Sequence, residues 1–191
     1  LARSLWGEDH VAWRRPQATA VDWRASEENL ATIEGYKPVL GSNPEVLAWL
    51  NEISAGLSAA RAAGEPMWRQ GDEDETPPPA PAAPSPMKAR AWVFTDSGCG
   101  SACLDAVDLL KALGARHVGL ETSGDTVYME IREETLPSGR VTARIPMKVY
   151  RGRVRGNNET YVPEHEWTGD LSDTAGIEAW LAGLDAAAAG R

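Results

Sequence analysis

The chain has 191 residues, 19 Lys and Arg against 28 Asp and Glu, a formal net charge of −9 and 42% hydrophobic residues. That length supports one domain with a sizeable core, or one domain carrying an insertion. The acidic balance argues against a nucleic-acid partner, which needs a basic surface, and against anionic lipid headgroups; no run of about 18 apolar residues is present to span a membrane.

Leu1 to Trp6 has no initiator Met and no signal-peptide architecture, so these residues give no compartment. Residues 1–75 read as helical and rich in tryptophan. Ser26-Glu27-Glu28 ahead of Leu30 and Ile33, ended by Gly35, has the marks of a short capped helix. Asn43-Pro44-Glu45 supplies a cap and a first-turn proline, after which Val46, Leu50, Ile53 and Leu57 recur at helical spacing up to Gly64. Trp6, Trp13, Trp23, Trp49 and Trp68 suit the anchoring of a small helical subdomain, with an aromatic cluster for extended peptide or sugar as the alternative.

An acidic run, Gly71 to Glu75, leads into a Pro-rich connector over 76–87, whose polyproline geometry makes it an extended linker. From 88 to 191 the pattern becomes α/β. Strands are expected over Ala89–Thr95, Arg116–Glu121, Thr126–Glu133 and Arg140–Tyr150, and a helix over Ser101–Leu113. The helix between two strands favours a β-α-β arrangement. Ile177, Trp180, Leu181 and Leu184 form one face of a closing helix. Within this half, Arg151 to Asn158 is the only dense basic run; Arg153 and Arg155 could clamp a carboxylate such as a peptide C-terminus, or simply lie in a solvated loop.

The chemistry concentrates where Val93-Phe94-Thr95 runs through Asp96-Ser97-Gly98-Cys99-Gly100 into Ser101-Ala102-Cys103-Leu104. A strand feeding a small-residue turn into a helix sets a hydroxyl beside unpaired backbone N–H groups and the positive end of the helix dipole. Ser101 there is either a helix cap, accepting a backbone N–H, or an exposed nucleophile. Cys99 and Cys103 flank it and are the only cysteines. Their spacing across a turn allows a disulfide, which would rigidify the turn and favour an oxidising compartment. Two buried hydrophobes and a thiol nucleophile at Cys99 are the other readings. Two Cys with no His at ligand spacing leave the coordination of a zinc ion unfilled, which argues against a zinc site, and no cofactor is implied.

Val93 to Cys103, the helix to Leu113 and the run Gly114 to Gly119 resemble the nucleophile segment of the C-terminal-processing (tail-specific) serine proteases. Glu121-Thr122-Ser123-Gly124 stands where that family has its Glu-x-Thr-x-Gly turn, Leu136-Pro137-Ser138-Gly139 resembles its hairpin, and Tyr161-Val162-Pro163-Glu164 sits where it often writes Val-x-Pro-Asp. The resemblance spans residues 90–165 and lies in the order of the motifs. It implies a crotonase/ClpP-like β-α core with residues 1–75 as an N-terminal helical insertion or lid. It also implies a serine-type peptidase acting on peptide or protein in the bacterial periplasm or outside the cell, a cytoplasmic location being the alternative. Ser101 would be the nucleophile and the Ala102 N–H an oxyanion donor.

One departure stands out. The family's general base, a Lys, falls here at Thr126. A serine hydroxyl needs a base to take its proton. Asp125 and His117 are the nearest replacements, with Glu121, Lys148 and His10 also in view; Asp125 doubles as a turn residue and His117 as a structural imidazole. The missing lysine equally suits a non-catalytic peptide-binding domain that keeps the protease fold. An acyl-thioester enzyme of the crotonase type ranks behind both, because no nucleotide-binding features are visible. Substrate specificity and oligomeric state are not encoded legibly.

Overall fold

The computed structural model describes residues 1–15, 20–71 and 78–189. In chain order the elements are α1 (Ala2–Trp6), α2 (Glu8–Arg14), β1 (Val21–Arg24), α3 (Glu27–Leu40), α4 (Pro44–Ala62), β2 (Met67–Gln70), β3 (Trp92–Thr95), α5 (Ala102–Ala112), β4 (Arg116–Gly119), β5 (Tyr128–Thr135), β6 (Thr142–Tyr150), β7 (His165–Glu166) and α6 (Thr174–Ala189). The protein is mixed α/β, with six helices and two sheets among the described residues. None of the described helices is long and apolar enough to cross a membrane.

The elements group into two compact units that interleave along the chain. One comprises Leu1–Gln17, Thr76–Asp125 and Arg155–Arg191; the other comprises Ala18–Glu75 and Thr126–Val154. The linear order expected from sequence, 1–75 then 76–87 then 88–191, is therefore not how the contacts divide. The β5–β6 hairpin groups with the helices that precede the connector instead of with β3, α5 and β4. Residues 72–77 of the acidic and Pro-rich boundary lie outside the described residues. The described stretch from Pro78 to Met87 forms no helix or strand, and Ser85 Oγ donates to the Trp6 carbonyl at 3.1 Å.

The second unit is a four-stranded antiparallel sheet, in the order β2-β1-β6-β5, with α3 and α4 as its helices. Both caps legible in the sequence form. Ser26 Oγ accepts the Asn29 N–H at 3.2 Å, and Asn43 Oδ1 accepts the Glu45 N–H at 2.9 Å with Pro44 opening the helix. Leu50, Ile53 and Leu57 turn one face of α4 into a core with Trp23, Ile33 and Met147. Each such side chain contributes about 1.5–3 kcal/mol on removal from water. Helix α4 approaches β2 through Gly56: a Cβ built there would overlap the Trp68 ring. Lys148 lies over the Trp23, Trp49 and Tyr150 rings and donates to Glu130 at 3.2 Å. Such placement offsets the cost of burying an ammonium.

Two local expectations change in this unit. Residues 21–24 and 67–70 are strands within a region read as helical. Their pairing with each other and with β6 is long-range, which local periodicity does not register. Helix α3 also continues through Gly35 and Pro38 to Leu40.

The first unit is built on a three-stranded parallel sheet, β3-β4-β7, with α5 connecting β3 to β4. Leu104 and Val107 project from α5 into a cluster with Val93, Cys99 and Ala115. Helix α6 is tied to this unit by Trp180, whose ring centroid is 5.3 Å from that of Trp167. Asp185 adds to the tie, accepting from Arg90 and from the Trp92 indole at 2.8 and 3.2 Å.

Candidate functional site

Strand β3 delivers the chain to Thr95, and the next five residues reverse it into α5. Asp96 organises the reversal: its carboxylate accepts the Gly98 N–H at 2.8 Å and its carbonyl accepts the Cys99 N–H at 3.1 Å. Gly100 lies close to the next turn: a Cβ at that position would sit 2.8 Å from Ser123 Oγ, which would have to turn away. Ser123 Oγ in turn donates to the Cys99 carbonyl at 2.9 Å.

Ser101 follows at the head of α5 with φ 54° and ψ −122°, a backbone state that costs an L-residue about 1–3 kcal/mol. It holds the N-terminal flanking position of the helix without using its side chain as a cap. A capping serine has extended backbone and spends its hydroxyl on a backbone N–H; Ser101 does neither, and it is exposed. The Ser101 carbonyl accepts the Leu104 N–H at 2.9 Å and the Gly100 carbonyl accepts the Cys103 N–H at 3.1 Å. The Ala102 N–H, in the first turn, has no hydrogen-bond partner among the described residues. Orphan donors of this kind at a helix start favour a developing negative charge.

Cys99 and Cys103 form a disulfide, with Cα atoms 5.2 Å apart, that brackets Ser101. The alternatives of two free hydrophobes and a Cys99 thiol nucleophile are thereby removed. Cys99 is buried in the α5 cluster, whereas Cys103 is exposed. Both line an open cavity of about 330 Å³ together with Phe94, Thr95, Asp96, Leu171 and Ile177.

The candidate bases lie elsewhere. His117, on β4, is buried, and its Nε2 is 2.8 Å from Thr95 Oγ1. Thr95 uses its single hydroxyl proton on the Leu120 carbonyl at 2.8 Å, so the imidazole is the donor in that pair. Burial, aided by the Lys111 charge, pulls the His117 pKa below the ordinary histidine value. That shift and the bond to Thr95 favour the neutral ring. Glu121 accepts from Thr160 Oγ1 at 2.6 Å, the His10 ring stands edge-on to Trp13, and Lys148 belongs to the second unit. Ser101 Oγ makes no hydrogen bond to any described residue.

Asp125 is committed to an ion-pair hub around Arg155. The Arg155 side chain is fully buried; its guanidinium donates to Asp105 at 3.0 Å, to Asp125 at 3.3 and 3.4 Å, and to Asp108. Tyr161 adds its hydroxyl to Asp108. Burial pulls the Arg155 pKa down, but the hydrogen bonds of Asp105 and Asp125 and the charges of Asp108 and Asp125 outweigh it and hold the group above the ordinary arginine value. Burial, with the Asp108 hydrogen bond, pushes the Tyr161 phenol up to about 12. Two expectations are corrected here. Arg155 is not presented to a substrate carboxylate, because three protein carboxylates already surround it. Asp125 is a partner of that guanidinium, an arrangement that opposes a role as a base. Arg153 is half-buried, and its guanidinium lies 3.5 Å from the Thr126 carbonyl.

The hub was not foreseen from sequence. Its signal was present, since Asp105 and Asp108 stand one turn apart on α5, an acidic strip that flanks the apolar face of Leu104 and Val107. Ser123 and Asp96, which hold the turn, carried no comparable signal. No family model, curated protein or solved structure matches the chain.

Proposed function

We propose that the chain is a divergent serine-type peptidase domain of the tail-specific type, with a crotonase/ClpP-like core, hydrolysing peptide bonds through an acyl-enzyme on Ser101. The observation that carries this reading is the Ser101 backbone. A serine held at φ 54° and ψ −122°, with its hydroxyl exposed and unused as a cap, has the geometry of a nucleophile elbow rather than of a helix cap. In this mechanism Ser101 Oγ attacks the scissile carbonyl and the Ala102 N–H donates to the oxyanion as it forms. The C–N bond breaks as the amine leaves with the proton given up by the serine hydroxyl, and water then releases the acyl group as a carboxylic acid and restores the hydroxyl. The Cys99–Cys103 disulfide is consistent with the oxidising, periplasmic or extracellular setting that the resemblance implies.

A specific observation favours a second reading. With Thr126 in the lysine position, Asp125 bound to Arg155 and His117 donating to Thr95, none of the expected bases serves Ser101. A peptide-binding domain retaining the protease fold would need none. Reaction with a fluorophosphonate probe separates the two. Labelling of the wild type that disappears in Ser101→Ala supports the peptidase; equal inertness of both, with peptide binding intact, supports the binding domain.

A further inference from the structure

The disulfide is placed where it can do more than staple. It joins the residues two before and two after Ser101, so the strained backbone lies inside the closed loop. The other restraints on that loop are hydrogen bonds, among them Cys99 N–H to the Asp96 carbonyl at 3.1 Å, Ser123 Oγ to the Cys99 carbonyl at 2.9 Å, Cys103 N–H to the Gly100 carbonyl at 3.1 Å, and the Leu104 and Asp105 N–H groups to the Ser101 carbonyl at 2.9 and 3.2 Å. Individually these are of the same order as the strain they oppose. The covalent bond is the restraint on this loop that a reductant can remove.

The two cysteines differ in exposure. Cys99 is 4% exposed, within the cluster that includes Leu104 and Val107. Cys103 is exposed on the first turn of α5. Both cysteines line an open cavity of about 330 Å³.

We propose that the Cys99–Cys103 disulfide is a reducible control on Ser101: a dithiol reductant of the thioredoxin class opens it and thereby switches the nucleophile off. This rests on the reading of Ser101 as a nucleophile. A thiolate of the reductant attacks the Cys103 sulfur; the Cys99–Cys103 bond breaks and Cys99 departs as a thiolate that takes up a proton. The second thiol of the reductant then attacks the mixed disulfide, releasing Cys103 as a thiol. The protein gains two electrons and two protons, and the reductant becomes a disulfide. While the mixed disulfide lasts, the reductant itself sits beside Ser101.

The test follows fluorophosphonate labelling of the full chain in the oxidised form, after dithiothreitol, and after reoxidation, with circular dichroism recorded on each. The expected result is a labelling rate that falls about ten-fold or more on reduction, equivalent to about 1.4 kcal/mol in activation free energy, and returns on reoxidation while the secondary structure is unchanged. Cys103→Ser should label at the slow rate with or without dithiothreitol. Equal rates in the oxidised and reduced forms, or fast labelling of Cys103→Ser, overturn the control and leave the nucleophile standing. Loss of the dichroism on reduction also overturns it, because the bond is then a structural staple. Absence of labelling in the oxidised wild type removes both the nucleophile and its control.

Discussion

The two units hold their shapes by different means. In the second unit, Trp23, Ile33, Leu50, Ile53, Leu57 and Met147 fill one apolar core between helices and an antiparallel sheet. In the first, the apolar cluster around Leu104 and Val107 is joined by a disulfide and by a guanidinium ringed with three carboxylates. Apolar burial is non-directional and tolerates regular backbone anywhere; it does not hold a serine at positive φ. Directional restraints do that: in the first unit a covalent bond brackets Ser101, and in the second Lys148 pairs with Glu130, itself at φ 54°, while Arg69 and Arg151 hold Asp22.

The contrast can be broken most forcefully at the hub. Arg155→Met leaves Asp105, Asp108 and Asp125 facing one another without their cation, and about 3–5 kcal/mol of stability should be lost. Urea unfolding measures it; a cost below about 1 kcal/mol would mean the hub is not a structural restraint. In the second unit, Leu50→Ala should cost about 2–5 kcal/mol by cavity formation, read by the same method. Ser101→Gly should act in the opposite direction. Relief of the backbone strain is expected to raise stability by about 1–3 kcal/mol while labelling is abolished. Ser101→Ala, which keeps a Cβ at that φ, should abolish labelling without the gain. A mild loss of about 1 kcal/mol is expected for Ser26→Ala, which removes the α3 cap.

The units should also differ in pH response. In the second, the Arg69 hydrogen bond, and after it the Arg151 hydrogen bond against the opposing effect of burial, holds the Asp22 carboxyl below its usual 3.8. The unfolded chain regains the ordinary carboxyl, so this contribution is complete above that value and is lost as pH falls through the lower folded pKa. In the first unit the Tyr161 phenol is raised from 10.0 to about 12. Its contribution is complete below the unfolded value and is lost as pH rises between the two. Phenolate absorbance during alkaline titration checks it, and Tyr161→Phe should flatten stability across that range.

What was legible in the sequence was what is local. Asn43-Pro44 and Ser26 announced their helices, and the β3-α5-β4 order followed from one change of periodicity. Strands β1 and β2 were not legible, because four-residue segments acquire strand character from partners far along the chain. The turn at Ser101 was recognisable as a place for a nucleophile or a cap; only its dihedral angles separate the two. The fate of Arg155 was hidden for another reason. Its charge reads as a surface loop until Asp105, Asp108 and Asp125, distant in sequence, are seen to converge on it.

The slot at Gly56 has a consequence for how this fold can vary. Because the Trp68 ring occupies the space that any side chain on Gly56 would need, neither residue can drift alone. A sequence that gains a methyl group at 56 must shrink or reorient the residue at 68 in the same step, and one that loses the indole opens a hollow that an alanine could then fill. The two positions therefore form a single heritable unit, and a library randomised at both should return paired solutions, small with large, rather than independent ones.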